Sequence, residues 1–509
     1  MNDTSSELIL LNPKDNVAVA RQALCSGHMV TDHDVTCKSD IPAGHKIAIA
    51  SIEKNAPVFK YGSIIGYAAE KIEKGDHIHS HNLFMEDISR EYTPGSDKID
   101  TKLIEASKRA TFDGYVRKNG KVGTRNYIGI LSTVNCSASV SQFIAAEANK
   151  TLCDRFDTID GFVGVSHGDG CCATIGGEGL DILQRTLAGF ARNPNFGGIL
   201  VVGLGCEVNL VTSFMDTMQL SEGTFLKTLN IQDLGGTRKT IARAMEMIEI
   251  MLPKVAEARR EPVSAEHIVL GLECGGSDAY SGITSNPSLG AAADLVVQNG
   301  GTVILAETPE IYGAEHLLIQ RAVTDQVADK LIDKIKWWES YTKKHNAQIN
   351  NNPTPGNKAG GLTTILEKSL GAVAKAGTTN LNDVFSYAHP VTTKGMVFMD
   401  TPGYDIVSIT GMIAGGANMV CFTTGRGTVV GFKPVPTLKL SSNTAMYDRL
   451  SDDIDINCGP VIDQGLSVEQ MGEKIFLSIL DTASGKPSKS EELGFGDHEF
   501  VPWHIGAVL

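Results

Sequence analysis

Short apolar runs, each closed by a polar corner bearing glycine or cysteine, recur along this 509-residue chain. Residues 128–134, 162–165, 199–204 and 268–272 are such runs. They end in Asn135-Cys136-Ser137, Ser166-His167-Gly168-Asp169-Gly170-Cys171, Gly205-Cys206-Glu207 and Glu273-Cys274-Gly275-Gly276-Ser277-Asp278. Continuous aliphatic runs of this length read as buried strands of a parallel sheet, whose carboxyl ends form the edge where open α/β sheets bind ligands. The pattern predicts that thiols, carboxylates and a histidine converge on one edge.

From Phe112 onward the strands alternate with helical patterns over residues 137–150, 179–192 and 236–260, the last with Met245, Ile248 and Leu252 on one side. A second α/β segment opens at His267, with a strand at 303–306 and a long helix at 326–345. Further strands at 395–399, 419–423 and 437–440 end in Asp400-Thr401-Pro402-Gly403, Thr424-Gly425-Arg426-Gly427 and Ser441-Ser442-Asn443. Residues 350–361 are too polar and broken for a core element, and read as an ordered functional loop or a mobile lid. The first 85 residues differ: short apolar segments between turns at Gly27, Gly44, Gly62 and Gly75 predict a small β-rich domain. The expected organisation is a β-rich domain at 1–90, a polar linker at 91–110, and doubly wound, Rossmann-like α/β domains at 111–262 and 263–509.

Charge narrows the function. With 45 Lys+Arg against 59 Asp+Glu the formal charge is -14, which repels nucleic acid and anionic membranes. A small anionic substrate then needs a local cationic pocket or a metal. The ten cysteines are scattered, the N-terminus lacks the basic region of a signal peptide, and no apolar stretch reaches the ~20 residues that span a bilayer. These features predict a soluble, cytoplasmic protein, and leave monomer and homo-oligomer both open.

Four groups carry candidate chemistry. A free cysteine often serves as a small buried hydrophobe, but Cys136, Cys171, Cys206 and Cys274 at equivalent strand ends are candidate metal ligands, and an iron–sulfur cluster stays open because its thiolates can come from distant loops. In His77-Ile78-His79-Ser80-His81-Asn82, alternation along a strand points three imidazoles one way, which suits iron, zinc or manganese. Two glycine-rich loops each carry a cation, Lys358 beside Asn357 and Arg426 between Gly425 and Gly427, and read as carboxylate-binding corners. His167 and Glu207, at strand tips, are candidate acid and base. No strand is followed by Gly-x-Gly-x-x-Gly with an acidic residue downstream, which argues against a dinucleotide-dependent oxidoreductase.

In combination, Gly44-His45-Lys46, Lys60-Tyr61-Gly62, His79-Ser80-His81-Asn82, Gly203-Leu204-Gly205-Cys206-Glu207, Glu273-Cys274-Gly275-Gly276-Ser277-Asp278, Pro355-Gly356-Asn357-Lys358 and Thr424-Gly425-Arg426-Gly427 resemble the altronate/galactarate dehydratase family over nearly the whole chain. His79–Asn82 and Gly313-Ala314-Glu315 are similar to its altronate-type members. The resemblance implies an N-terminal SAF-type β domain and loss of water from a six-carbon sugar acid. D-altronate, giving 2-dehydro-3-deoxy-D-gluconate, leads, with galactarate or another hexarate as the alternative and a non-catalytic sugar-acid-binding protein as the rival of another class. It implies iron(II), with manganese as a substitute. His79 and His81 are the first-choice ligands, with Cys136, Cys171, Cys206 and Cys274 as alternatives. Lys46, Ser277, Asp278, Asn357, Lys358 and Arg426 are expected to bind substrate, Lys358 and Arg426 as a carboxylate clamp, and His167 and Glu207 to move protons.

Overall fold

The computed structural model describes residues 6–86 and 91–506, so the ends of the expected 1–90 domain and the last three residues lie outside the described residues. The N-terminal unit is β-rich, as its cadence predicts. Strands Leu8–Ile9, Val17–Ala20, Lys46–Ala48 and His77–Ile78 form one antiparallel sheet in that order, and Pro57–Lys60, Ser63–Ala68 and Leu83–Phe84 form another. Lys46 pairs with Ile78 and Ile47 with His77, so alternation puts His45 and His77 on one face and Lys46 with Ile78 on the other. The expected linker is tied down. Gly95 N donates to Ile319 O, Asp97 N to Gln320 O and Ile104 N to Gln298 O, pairing backbone groups that a docked strap cannot leave unsatisfied.

The four corners do not share one sheet, which corrects the expectation of a single edge. Gly161–Val165, Tyr127–Ser132, Phe196–Gly203 and Leu226–Asn230 form a four-stranded parallel sheet in that order. Val269–Cys274 belongs to a seven-stranded parallel sheet ordered Leu381–Phe385, Gly395–Met399, Thr302–Leu305, Val269–Cys274, Met419–Thr424, Thr437–Ser441, Ile456–Asn457. Buried runs look alike whichever sheet takes them, so the pattern could not divide them. Helices Asn135–Leu152, Glu178–Ala191, Thr237–Val255 and Asp325–Lys344 fill the predicted helical stretches. The third stops short of residue 260 because Arg260–Ser264 pairs antiparallel with Thr111–Val116. No helix among the described residues is long and apolar enough to cross a membrane.

The two parallel sheets share a core. Leu187 and Phe190 on Glu178–Ala191 pack with Ile409 and Ile413 on Asp405–Gly415, over Val165 of one sheet and Val397 of the other. Phe500 returns from the C-terminal segment to stack edge-on against Phe190, with ring centroids 4.6 Å apart. The helices meet so closely that a Cβ on Gly189 would lie 2.3 Å from the Ala414 carbonyl oxygen. Gly189→Val is therefore expected to force them apart at a cost of about 1–3 kcal/mol, read as a lower urea midpoint.

Candidate active site

At the carboxyl edge of the seven-stranded sheet, Asp278 ties several corners together. Its Oδ1 accepts from Ser281 N at 2.8 Å, Ser281 Oγ at 2.9 Å and Ser442 Oγ at 2.8 Å, and its Oδ2 from Asn443 Nδ2 at 3.0 Å. Asn357 Nδ2 donates to Ser277 O at 2.8 Å and Arg426 N to Gly276 O at 2.8 Å. The loops carrying Lys358 and Arg426 thus adjoin the same corner, Lys358 half-buried and Arg426 exposed. Residues 350–361 are an ordered loop rather than an unstructured lid, with a short helix Pro355–Ala359 started by a capping box between Thr354 and Asn357.

Imidazoles of the N-terminal β-rich unit lean on that loop. His79 Nε2 lies 2.9 Å from Lys358 O, His45 Nε2 lies 3.4 Å from Ala359 O, and His45 Nδ1 lies 3.0 Å from His77 Nε2. Burial, with the neighbouring imidazoles and Lys46, holds His45 and His77 down to about 4, so both are neutral at neutral pH. A carbonyl only accepts, which fixes the N–H on Nε2 of His45 and His79; His45 Nδ1 then accepts from His77, and His77 Nδ1 keeps a free lone pair. His81 is exposed, its ring tilted against that of His77 with centroids 5.6 Å apart. Asn82 makes this turn by donating to His77 O and accepting from His79 N.

Three of the expected substrate ligands are engaged in structural contacts. Lys46 is fully buried, its Nζ bonded to Gly361 O at 2.6 Å and to Glu367 Oε2 at 2.9 Å, while Lys60 Nζ reaches Glu367 Oε1 at 2.8 Å. This triad bolts the N-terminal β-rich unit to the helix Ile365–Val373. Asp278 and Asn357 are buried with their side-chain oxygens occupied by loop contacts, whereas the buried Ser277 Oγ has no hydrogen-bond partner. Lys46, Asp278 and Asn357 are thus already paired within the fold.

The thiols divide in the same way as the sheets. Cys136, Cys171 and Cys206 stand exposed at adjacent strand ends of the four-stranded sheet with Cys172, and the Cys171 thiol is raised by Cys172 first and then by Cys136 and Cys206. Asn135 N donates to Asp169 O, Val208 N to Cys171 O and Asn209 N to Gly170 O, lacing the three loops beside a cavity of about 330 Å³ that Asp169, Cys171, Cys172 and His504 help line. Cys274 lies apart, buried in the other sheet, where its thiol donates to Glu310 Oε2 at 3.5 Å. The expected proton-transfer pair also belongs to the thiol edge, and both members are occupied. His167 Nε2 donates to Ser132 O while Nδ1 accepts from Asp169 N. Glu207 accepts from Thr133 Oγ1, Leu204 N and Gly205 N, donors that outweigh its burial and hold its carboxyl low.

Sequence reasoning missed His45, Glu367 and a charged group of Glu273, Glu307, Glu310, Lys368 and Lys375, all buried, with the partly exposed Asp405. Glu307-Thr308-Pro309-Glu310 had the same signal as the chosen corners, since it directly follows the strand Thr302–Leu305.

Three family models match the chain in order: Altronate/galactarate dehydratase SAF domain over residues 6–86, D-galactarate dehydratase/Altronate hydrolase, second domain over 114–256, and D-galactarate/Altronate dehydratase, C-terminal over 265–508. The chain is 35% identical over 508 residues to the altronate dehydratase of Escherichia coli (strain K12), covering 99% of this chain and 100% of that one. It is 34% identical over 499 residues to the altronate dehydratase of Bacillus subtilis (strain 168), covering 96% and 97%. Against the galactarate dehydratase (L-threo-forming) of Escherichia coli (strain K12) it is 34% identical over 493 residues, covering 96% and 92%. With similarity running through the SAF unit, both parallel sheets and the corners around Asp278, the chain belongs to the altronate/galactarate dehydratase family.

Proposed function

We propose that this protein is a hydro-lyase that removes water from a six-carbon sugar acid, with D-altronate as the leading substrate and galactarate or another hexarate as the alternative. The observation that carries the reading is that the loops bearing Lys358 and Arg426 are tied to one corner, with neutral imidazoles from the SAF unit against the Lys358 loop. In a chain of charge -14 these two cations would supply the local positive charge that a carboxylate requires. We read the larger sheet as doubly wound. The chain leaves Val269–Cys274 toward one side and returns to its other side at Met419–Thr424, so the Asp278 and Arg426 corners flank the reversal point where such sheets bind ligands.

In the reaction a proton leaves C2, hydroxide leaves C3, and the enol relaxes to a 2-keto-3-deoxy acid. Lys358 and Arg426 bind the substrate carboxylate and offset the charge that builds beside C2. Asp278 and Asn357 keep the two cations in register. His167 and Glu207, held by the loops of the other sheet, stay outside the reacting groups. The imidazoles fit a divalent metal: His79 directs its Nε2–H to a backbone carbonyl, the arrangement that orients a ligating histidine, and His77 Nδ1 is an open lone pair. Iron(II), or manganese in its place, when bound by His77 and His79 would supply charge neutralisation for the enediolate and for the leaving hydroxide. Replacing His77 and His79 together with Ala is expected to lower bound iron in elemental analysis of anaerobically purified protein, and full retention would move the ion elsewhere.

A second placement rests on the thiol edge. Three exposed cysteines on adjacent loops beside a cavity are a donor set for a soft iron or an iron–sulfur cluster. Acid-labile sulfide in step with the iron would favour it. The function itself is tested by turnover of D-altronate, galactarate and D-glucarate in metal-replete protein, read as release of the 2-keto product. The highest kcat/KM on altronate is expected; binding of all three without product would leave a sugar-acid-binding protein instead.

A further inference from the structure

Below the clamp, the carboxyl edge of the seven-stranded sheet holds a charged group that the dehydration just described does not use. Glu273 lies in Val269–Cys274, Glu307 and Glu310 follow Thr302–Leu305, and Asp405 opens the helix Asp405–Gly415. Two lysines answer these four carboxylates: Lys368 Nζ lies 2.5 Å from Glu310 Oε1 and Lys375 Nζ lies 3.1 Å from Glu307 Oε2. With all groups ionised, two negative charges stay uncompensated in a cluster whose three glutamates are buried and whose Asp405 is partly exposed.

The hydrogen bonds locate that excess. Glu307 Oε2 receives Lys375 and the Cys274 amide, and Glu310 receives Lys368, Asn352 and the Cys274 thiol. Glu307 Oε1 and both oxygens of Glu273 are buried without a donor, on residues that are 0% exposed. One oxygen each from Glu273, Glu307 and Asp405 lie within 4.8 Å of one another. Gly275 leaves the space open, since a Cβ there would lie 1.9 Å from Asp405 Oδ2.

We infer that Glu273, Glu307 and Asp405 form a binding site for a hard divalent cation, magnesium or manganese, separate from the imidazoles of the SAF unit. Carboxylate oxygens are the donors such ions take. One ion of charge two cancels the excess and gives the orphaned oxygens a partner. Its place at the root of the loop bearing Ser277 and Asp278 makes it a positioning element for the clamp. Two protons would balance the same charge, with Glu273 donating to Glu307 and Asp405 neutral. Burial and the neighbouring carboxylates do push both acids up, Asp405 to about 7. The two solutions differ in what the site contains, and that is measurable.

Glu273→Gln keeps the size of the side chain and supplies the donor that a protonated acid would, so it is expected to fold under either solution. Full-length wild type, Glu273→Gln, Asp405→Asn and the His77→Ala/His79→Ala variant are produced with Mn²⁺ as the supplied divalent ion, and bound manganese is counted by elemental analysis and electron paramagnetic resonance. The expected result is that each acid variant loses one equivalent that the histidine variant keeps. Equal manganese in wild type and Glu273→Gln overturns the inference. Should neither acid variant fold, infrared spectroscopy of the wild type decides. A carbonyl band from buried protonated carboxylic acid overturns the site, and its absence, together with manganese retained in the histidine variant, supports it. Metal lost only from the histidine variant supports the imidazole placement and likewise overturns this site.

Discussion

Glu367→Gln is expected to be the most destabilising single change at the seam between the SAF unit and the larger sheet, costing about 3–5 kcal/mol. The substitution leaves the ammoniums of Lys46 and Lys60 buried with no anion, because Glu367 is the carboxylate that both contact and all three side chains are shielded from water. Urea unfolding reads the loss as a lower midpoint, and converting all three residues together to Met, Leu and Met is expected to recover most of it, since an apolar replacement removes the desolvation cost along with the attraction. The sign of the pH dependence follows. Burial alone would raise the Glu367 carboxyl, but Lys46 and Lys60 outweigh it and hold the carboxyl down to about 2, below its ordinary 4.5. A depressed carboxyl contributes stability that is fully present above the unfolded value and is lost as pH falls through the folded one, here between about pH 4.5 and 2. A shift of that size corresponds to roughly 3 kcal/mol, in line with the expected cost of the mutation. An acid transition in this window that is absent from the apolar triple variant would confirm the origin.

Arg426→Ala is expected to lower kcat/KM by roughly 10- to 100-fold, the equivalent of one charge-assisted hydrogen bond to a carboxylate. Arg426 is exposed and its backbone, rather than its side chain, holds Gly276, so stability should change by less than about 0.5 kcal/mol. Arg426→Lys should recover part of the loss, because an ammonium keeps the charge but not the two-pronged geometry. The steady-state rate on the best substrate gives the answer, and unchanged kinetics in Arg426→Ala would remove it from the clamp.

The strands and helices were legible because burial on both faces writes continuous aliphatic runs, and amphipathic helices write a period near 3.6. Which strands share a sheet was not, because no local pattern distinguishes partners, and the thiols of residues 136, 171 and 206 were therefore joined to Cys274 and to the histidines. Lys358 and Arg426 were legible as cations in glycine-rich corners. Lys46 looked equally available, since a lysine on a short strand gives no sign that a glutamate more than 300 residues away will bury it. His79 was found through alternation, whereas His45 becomes its neighbour only through the pairing of Lys46–Ala48 with His77–Ile78. Glu307 adopts φ +69°, a conformation rare for a residue with a side chain, and its importance emerges only when Glu273 arrives from a neighbouring strand and Asp405 from the start of a helix.

The central claim is that the sugar acid binds where the SAF imidazoles meet the Lys358 and Arg426 loops. Diffraction from crystals of the full-length, metal-depleted protein soaked with D-altronate tests it most directly. The account predicts the carboxylate between Lys358 and Arg426, with hydroxyl groups turned toward His77 and His79. A sugar acid seated instead in the cavity beside Cys171, within reach of His167 and Glu207, would contradict it and move the chemistry to the other sheet.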